Sequence, residues 1–353
     1  MNTIADRPIR TVIVGMGNIA SIHIAAIQAY PDAELIGVCD IDPGKKARAE
    51  ALCGHEIPFF ENYSTMVESL NPDCVHICLP HDLHEPAAFF AASRGCNVFL
   101  EKPMALDTDG VRRFRGSETR YGVRFCICLQ NRMNNTSIEA HRILSGGLYG
   151  KILGVRGIVT WHRDAVYYAT APWRGQLARS GGGLMMNQAI HTLDLMHWLS
   201  GGGTLVSVRS LIGNVMDLDI EVEDSVVAHM DFSTGVEALF VGSNGAVRDF
   251  PIQVDIVCEQ GTLHIADGKL VTEDADGRTV VARDEIGWIG KACYGTSHHR
   301  LVASFYDVLR KGKGSYIHPE DAEYSVVMAD LIRTGSLHTS EAPGTMEVQN
   351  AEN

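Results

Sequence analysis

Residues 9–42 read IRTVIVGMGNIASIHIAAIQAYPDAELIGVCDID. A β-rich run, a glycine turn, an apolar-periodic stretch to Tyr30 and a second β-rich run follow one another. That order predicts strand, turn, helix and strand, the setting in which a glycine turn binds a dinucleotide. Gly15 permits the tight turn, Gly17 lets the backbone approach a pyrophosphate, and the small Ala20 lets helix and strand pack closely. Asn18 and Ile19 then stand at the helix start, whose free N–H groups attract phosphate. Asp40 ends the second strand about 25 residues after Gly15, where a carboxylate accepts from ribose hydroxyls. A carboxylate there repels a 2′-phosphate and Ile41 adds no positive charge, so NAD is expected over NADP, although Lys45 and Lys46 follow closely.

The alternation continues outward. CVHICLP (74–80), NVFLEKP (97–103) and RFCICLQ (124–130) read as strands, with helices through EPAAFFAASRG and DTDGVRRFRGSETRYG. Strands alternating with helices predict an α/β domain with a doubly wound parallel sheet, over residues 1–127, with ligands at the carboxyl ends of the strands. Two more of those ends carry polar chemistry: PHDLH (80–84) and Glu101-Lys102-Pro103. From Lys151 the pattern changes to short alternating strands punctuated by Gly, Asn and Asp, which predicts a large, open, mainly antiparallel sheet in a second domain, 128–353. A long insertion, 164–201, interrupts the first two of these strands, and connections of that length are usually functional. Residues 297–311 and 320–334 read as helices.

Within the insertion, GGGLMMNQAIHTLDLMHWL (181–199) reads as a glycine turn and a buried helix. At about 100° per residue, Asn187, His191, Asp194 and Trp198 share one narrow face. Buried polar groups without partners cost roughly 1–3 kcal/mol each, so the stripe is a hydrogen-bond network or a site wall.

Composition excludes other classes. The 353 residues suffice for two domains, and 43 acidic against 30 basic residues, net −13, argue against nucleic acid or anionic membrane as partner. The nine cysteines are scattered with no CxxC pair, which suits reduced thiols in a cytosol; Cys126 and Cys128 point the same way on one strand, for packing. HDLH lacks further ligands at metal spacing, so no metal is expected. MNTIADRPIR has no apolar leader core, and no run of roughly 18 apolar residues occurs. A soluble, cytoplasmic protein is expected.

These motifs together resemble the Gfo/Idh/MocA oxidoreductases, named for glucose-fructose oxidoreductase and inositol dehydrogenase. The likeness rests on GxGxxA followed by His23, Pro80 and His84, EKP at 101–103, QNR at 130–132, the 181–199 helix and HHRLVASFYDVLRKGK at 298–313. It implies a Rossmann domain, a C-terminal sheet that mediates homo-oligomerisation, and redox chemistry on sugars and cyclitols. It places Lys102 near the nicotinamide and the reacting hydroxyl, with Pro80, His84 and Glu101 along the cofactor. Many relatives carry D-x-G-x-H in the helix, where this chain has Asn187, Ala189 and His191. The histidine matches; an amide replaces the acid and cannot take a proton.

Hydride loss from a secondary alcohol needs a base and a donor to the hydroxyl oxygen. His191 as base with Lys102 as donor is one assignment; Lys102 as base with His191 orienting the substrate is the other. Asp194 is expected either to orient the imidazole or to pair with the helix surroundings. Tyr168, Trp173 and Arg174 supply a stacking platform and a hydroxyl or carboxylate clamp for a carbohydrate. The expected activity is NAD-dependent oxidation of a ring hydroxyl, C3 among the candidates, of a sugar, glycoside or nucleotide sugar. Glycoside cleavage through transient oxidation and a non-catalytic dinucleotide-binding regulator are the alternatives.

Overall fold

The computed structural model describes residues 4, 7–285 and 296–338. Strands β1 (Ile9–Val14), β2 (Ala33–Cys39), β3 (Phe59–Phe60), β4 (Cys74–Ile77), β5 (Asn97–Glu101) and β6 (Phe125–Cys128) form one parallel sheet, in the order β3-β2-β1-β4-β5-β6. Helices α1 (Ala20–Gln28), α2 (Lys46–Cys53), α3 (Tyr63–Leu70), α4 (His84–Ser93), α5 (Thr108–Phe114) and α6 (Ser117–Tyr121) connect the strands. The central strands are buried on both faces, which is why they read as continuous apolar runs. The order reverses between β1 and β4, so a crevice opens at their carboxyl ends.

Three elements lie outside the sequence reading. Helix α2 buries only Ala49 and Cys53, α3 only Met66 and Val67, and β3 is two residues long, so none carries a strong apolar period. The single helix expected over 107–122 is two, because Arg115 is extended and Gly116 takes a positive φ of 67°.

The second half contains α7 (Asn135–Ser145), β7 (Ile152–Thr160), α8 (Ala165–Ala169), α9 (Leu177–Ser180), α10 (Ile190–Leu199), β8 (Leu205–Gly213), β9 (Ser225–Phe232) and β10 (Glu237–Ser243). It continues with β11 (Gln253–Cys258), β12 (Gly261–Ala266), β13 (Lys269–Asp274), β14 (Gly277–Arg283), α11 (Ser297–Lys311), α12 (Pro319–Thr334) and β15 (Ser336–His338). Nine strands make the sheet β14-β13-β12-β11-β7-β10-β9-β8-β15, antiparallel except where β7 meets β10 and β8 meets β15. Helices α7, α10 and α12 pack on it. The chain then returns to the first domain: α11 lies against α1, α12 against α5, and the Ile127 N–H donates to the Ile317 carbonyl at 2.9 Å. Eight of the cysteines are buried free thiols, Cys126 and Cys128 among them, and Cys293 lies outside the described residues.

Candidate active site

Strand β1 ends in the glycine turn and β4 runs beside it. Gly15 has φ +96°, and a Cβ there would stand 2.3 Å from the Cys78 carbonyl oxygen, so only glycine fits between the two strand ends. Around Gly17 the space is open. No side chain caps the start of α1, which leaves the N–H groups there, those of Asn18 and Ile19 first, without a side-chain acceptor. Asp40 is fixed at the tip of β2, its Oδ2 accepting from the Met16 N–H at 2.8 Å and its Oδ1 from that of Asp42 at 3.0 Å. A bare turn, an uncapped helix start and a fixed carboxylate fit a dinucleotide. Pro80 leads from β4 into the PHDLH turn. His84 does something else: its Nδ1 meets the Pro103 carbonyl at 2.7 Å and its Nε2 that of Leu79 at 2.8 Å. Buried there, it ties the loop after β4 to the loop after β5.

Glu101, at the end of β5, turns inward. Its Oε1 receives the His23 Nε2 at 2.9 Å; His23 Nδ1 meets His76 Nδ1 at 2.9 Å, His76 Nε2 meets the Tyr306 hydroxyl at 2.8 Å, and that hydroxyl meets Thr11 Oγ1 at 3.0 Å. Five buried polar side chains from five elements thus form one chain of hydrogen bonds under the cleft. Burial works against charge on His23, yet the Cys78 sulfur and Glu101 outweigh it and lift the imidazole to about 10. Glu101, opposed by burial, is drawn far below the usual carboxylate range by His23. The sequence offered His23 through its motif, whereas nothing local to His76, Tyr306 or Thr11 announces that they meet. Among the described residues, only His23, Glu101 and Cys128 gather as metal-type ligands, within 4.8 Å of one another, and the first two already neutralise each other.

Lys102 points the other way. Its Nζ donates to the main-chain carbonyl of Asn187 at 3.0 Å, its one partner among the described residues. Burial lowers its pKa, with Arg174 adding to the effect and Glu101 opposing it. The carbonyl is available because residues Met185–Ala189 form a π-turn ahead of α10. Uniform α-helical spacing fails across that turn, and the expected polar stripe divides. The Asn187 amide folds back, donating to the Gly182 and Gly183 carbonyls at 3.3 and 3.1 Å. Asp194 makes a two-pronged ion pair with Arg132, at 2.6 and 2.8 Å, and so pairs with the helix surroundings instead of orienting His191. Trp198 stacks on His141.

His191 stays at the cleft. The Gln130 amide nitrogen lies 3.3 Å from its Nε2, while its Nδ1 is buried with no hydrogen-bond partner among the described residues. Burial, then the Lys102 charge, pushes the imidazole well below its usual range. A glutamate absent from the sequence reading shapes this turn. Buried Glu223 accepts from the Gly183 N–H at 2.9 Å and the Met185 N–H at 3.0 Å, and a Cβ on Gly183 would fall 1.9 Å from the Glu223 carbonyl oxygen.

The insertion packs against the PHDLH turn. The Arg174 guanidinium lies 4.5 Å above the Tyr167 ring and 5.6 Å from that of Trp173, and Trp173 meets the edge of His81 at 4.7 Å. Tyr168 is buried and its hydroxyl accepts from Asn244 at 3.2 Å, so its neighbour Tyr167 is the ring under the arginine. A cavity of about 470 Å³ adjoins Tyr168, with Asp219 and Glu221 on its wall.

Comparison with known proteins identifies the family of the chain. Residues 9–127 match the Gfo/Idh/MocA oxidoreductase family, NAD-binding Rossmann fold, and residues 138–264 match the C-terminal domain of the same family. The chain is 23% identical over 325 residues to inositol 2-dehydrogenase of Rhizobium meliloti (strain 1021), covering 91% of this chain and 95% of that protein. It is 27% identical over 235 residues to 1-carboxy-3-chloro-3,4-dihydroxycyclo hexa-1,5-diene dehydrogenase of Comamonas testosteroni, covering 65% and 56%. The crystal structure of the WlbA dehydrogenase from Bordetella pertussis with NADH and UDP-GlcNAcA matches at TM-score 0.80 and 28% identity, over 93% of this chain and 96% of that one. Matched in both halves and alike in fold over nearly its whole length, the chain belongs to the Gfo/Idh/MocA family of NAD-binding oxidoreductases.

Proposed function

We propose that the enzyme oxidises a secondary ring hydroxyl, with C3 the first position to test, of a sugar, glycoside or nucleotide sugar. The observation that carries this reading is that Lys102, whose amine is bound among the described residues only to the Asn187 carbonyl, lies near enough for its charge to act on His191, whose buried Nδ1 has no partner among the described residues. Bound NAD supplies the hydride acceptor. Of the two assignments open from sequence, the surroundings favour Lys102 as base. Gln130 directs its amide N–H at His191 Nε2, which leaves the imidazole hydrogen on Nδ1, and burial keeps the ring neutral. His191 then donates from Nδ1 to the substrate oxygen, and the Lys102 amine takes the hydroxyl proton. Asn187 contributes its carbonyl, which aims the amine. Asp40, the glycine turn and the start of α1 hold the dinucleotide, and Trp173 and Arg174 close over the sugar.

The test is NADH formation across glycosides, free sugars, cyclitols and UDP-sugars. We expect turnover with at least one ring substrate and a loss of about 10²- to 10⁴-fold in kcat for Lys102→Met, the range for removing a positioned proton-transfer group. Turnover unchanged in both Lys102→Met and His191→Phe would overturn the scheme. Glycosidic cleavage without net NADH would identify the oxidation–elimination reaction instead.

The protein is also proposed to self-associate through the outer face of the nine-stranded sheet. Leu211, Val227, Val241 and Ile158 lie side by side in register across four strands of that face, and Leu211 and Val227 are 51% and 46% exposed.

A further inference from the structure

The scheme above calls for no charge on the substrate, yet the cleft holds a charge that no described residue answers. Neighbouring arginines all have carboxylates: Arg132 has Asp194 at 2.6 Å, Arg163 has Asp249 at 2.8 Å and Arg179 has Asp82 at 3.0 Å. The Arg174 side chain has neither an ion pair nor a hydrogen bond among the described residues; its guanidinium lies over the rings of Tyr167 and Trp173.

That contact is built. The Tyr167 hydroxyl accepts from Gln188 Nε2 at 2.8 Å, and Gln188 follows Asn187, whose carbonyl aims Lys102. Trp173 rests on His81, itself fixed by a hydrogen bond from Nδ1 to the Ser180 carbonyl at 2.8 Å. The ammonium and the guanidinium are therefore positioned by adjoining parts of one framework, and the Arg174 charge reaches both Lys102 and His81, lowering the pKa of each. The adjoining cavity carries Asp219 and Glu221, so an anion is repelled there and drawn to the arginine side. A guanidinium fork unanswered among the described residues, held on the framework that also aims Lys102, matches a planar anion carried by the substrate.

We propose, on the dehydrogenase reading above, that Arg174 receives a carboxylate of the sugar ring, making the substrate a uronate. A nucleotide diphosphate is the other oxyanion a sugar can bring, and the experiment separates the two. Calorimetric binding to NADH-loaded protein and NAD reduction are measured for methyl β-glucoside against methyl β-glucuronide, and for UDP-glucose against UDP-glucuronate. In each pair the acid is expected to bind and turn over about 10- to 100-fold better, the range of a charge-assisted, two-pronged hydrogen bond. In Arg174→Gln the acid-to-neutral ratio collapses toward one, and Arg174→Lys restores part of it. Equal affinity within each wild-type pair, or a ratio that survives Arg174→Gln, overturns the proposal. A loss in Arg174→Gln shared by both UDP-sugars, without discrimination in the methyl pair, also overturns it and assigns the arginine to diphosphate. Acid-selective binding without NADH formation would leave the carboxylate assignment standing while removing the dehydrogenase reading.

Discussion

At the scale of single residues, the decisive contrast is between Lys102 and His191, two buried bases whose surroundings differ. Burial lowers both, but lowering takes an amine from above the working pH toward it and takes an imidazole away from it. A neutral Lys102 accepts a proton, so kcat/KM should rise with pH through the depressed lysine value and fall on the acid side. Lys102→Arg, which cannot deprotonate, should be inactive at every pH. A wild-type acid limb retained in full by Lys102→Met would assign the proton to another group. Gly15 illustrates the opposite kind of residue, required for what it lacks. Gly15→Ala places a methyl 2.3 Å from the Cys78 carbonyl oxygen at a φ of +96°. It should cost more than about 1 kcal/mol of stability and abolish NADH binding in a fluorescence titration. Both identities were readable from local sequence, because strand-end lysine and turn glycine are properties of a few consecutive residues.

At the scale of elements, the π-turn at Met185–Ala189 and the buried chain below Glu101 set the site. The turn moves the Asn187 side chain away from Lys102 and offers its carbonyl instead, with Glu223 holding the N–H groups of Gly183 and Met185. Periodicity at 100° per residue cannot show this, since the extra residue is stabilised from β9's approach and not by the helix. The ion pair of His23 with Glu101 has a stability signature. His23, raised to about 10 from its usual 6.5, adds stability in full below 6.5 and loses it as pH rises through 10. Glu101, lowered from 4.5, adds stability above 4.5 and loses it as pH falls further. The Tm contributed by the pair should therefore be greatest between about 4.5 and 6.5 and decline toward alkaline pH. Glu101→Gln should flatten that alkaline slope, leaving the part due to the Cys78 sulfur, and cost about 3–5 kcal/mol, as expected when one partner of a buried pair is lost. An unchanged Tm-against-pH curve in the variant would refute the pairing.

At the scale of the whole molecule, the nine-stranded sheet has two unlike faces. Helices α7, α10 and α12 pack on the sheet, and the opposite face carries the apolar row Leu211–Val227–Val241–Ile158. Beside it runs a row of Arg209, His229, Arg156, Asp255 and His264, interrupted by the apolar Leu239, with Arg156 and His264 both bound to Asp255. An apolar row edged by charge suits a second copy, which would bury the one and align the other. Val227→Lys with Leu211→Lys should shift the mass measured by light scattering to that of the monomer and leave NADH binding in place. An unchanged mass would direct attention to another surface. No helix among the described residues is long and apolar enough to cross a membrane.

The sequence by itself determined the doubly wound first domain, the antiparallel second one and the residues at the strand ends, because alternation, glycine turns and apolar runs are encoded over a few consecutive positions. Its resemblance to the family gave the expectation that His191, Lys102 and Arg174 share one site. Only the tertiary structure decided what each of them meets. The Asp194 partner is 62 residues away, the Tyr306 link to Thr11 spans 295 residues, and the Asn187 carbonyl reaches a lysine 85 residues earlier. Protonation and aim depend on those distant partners, through burial and unpaired hydrogen-bonding atoms that arise only when the elements pack.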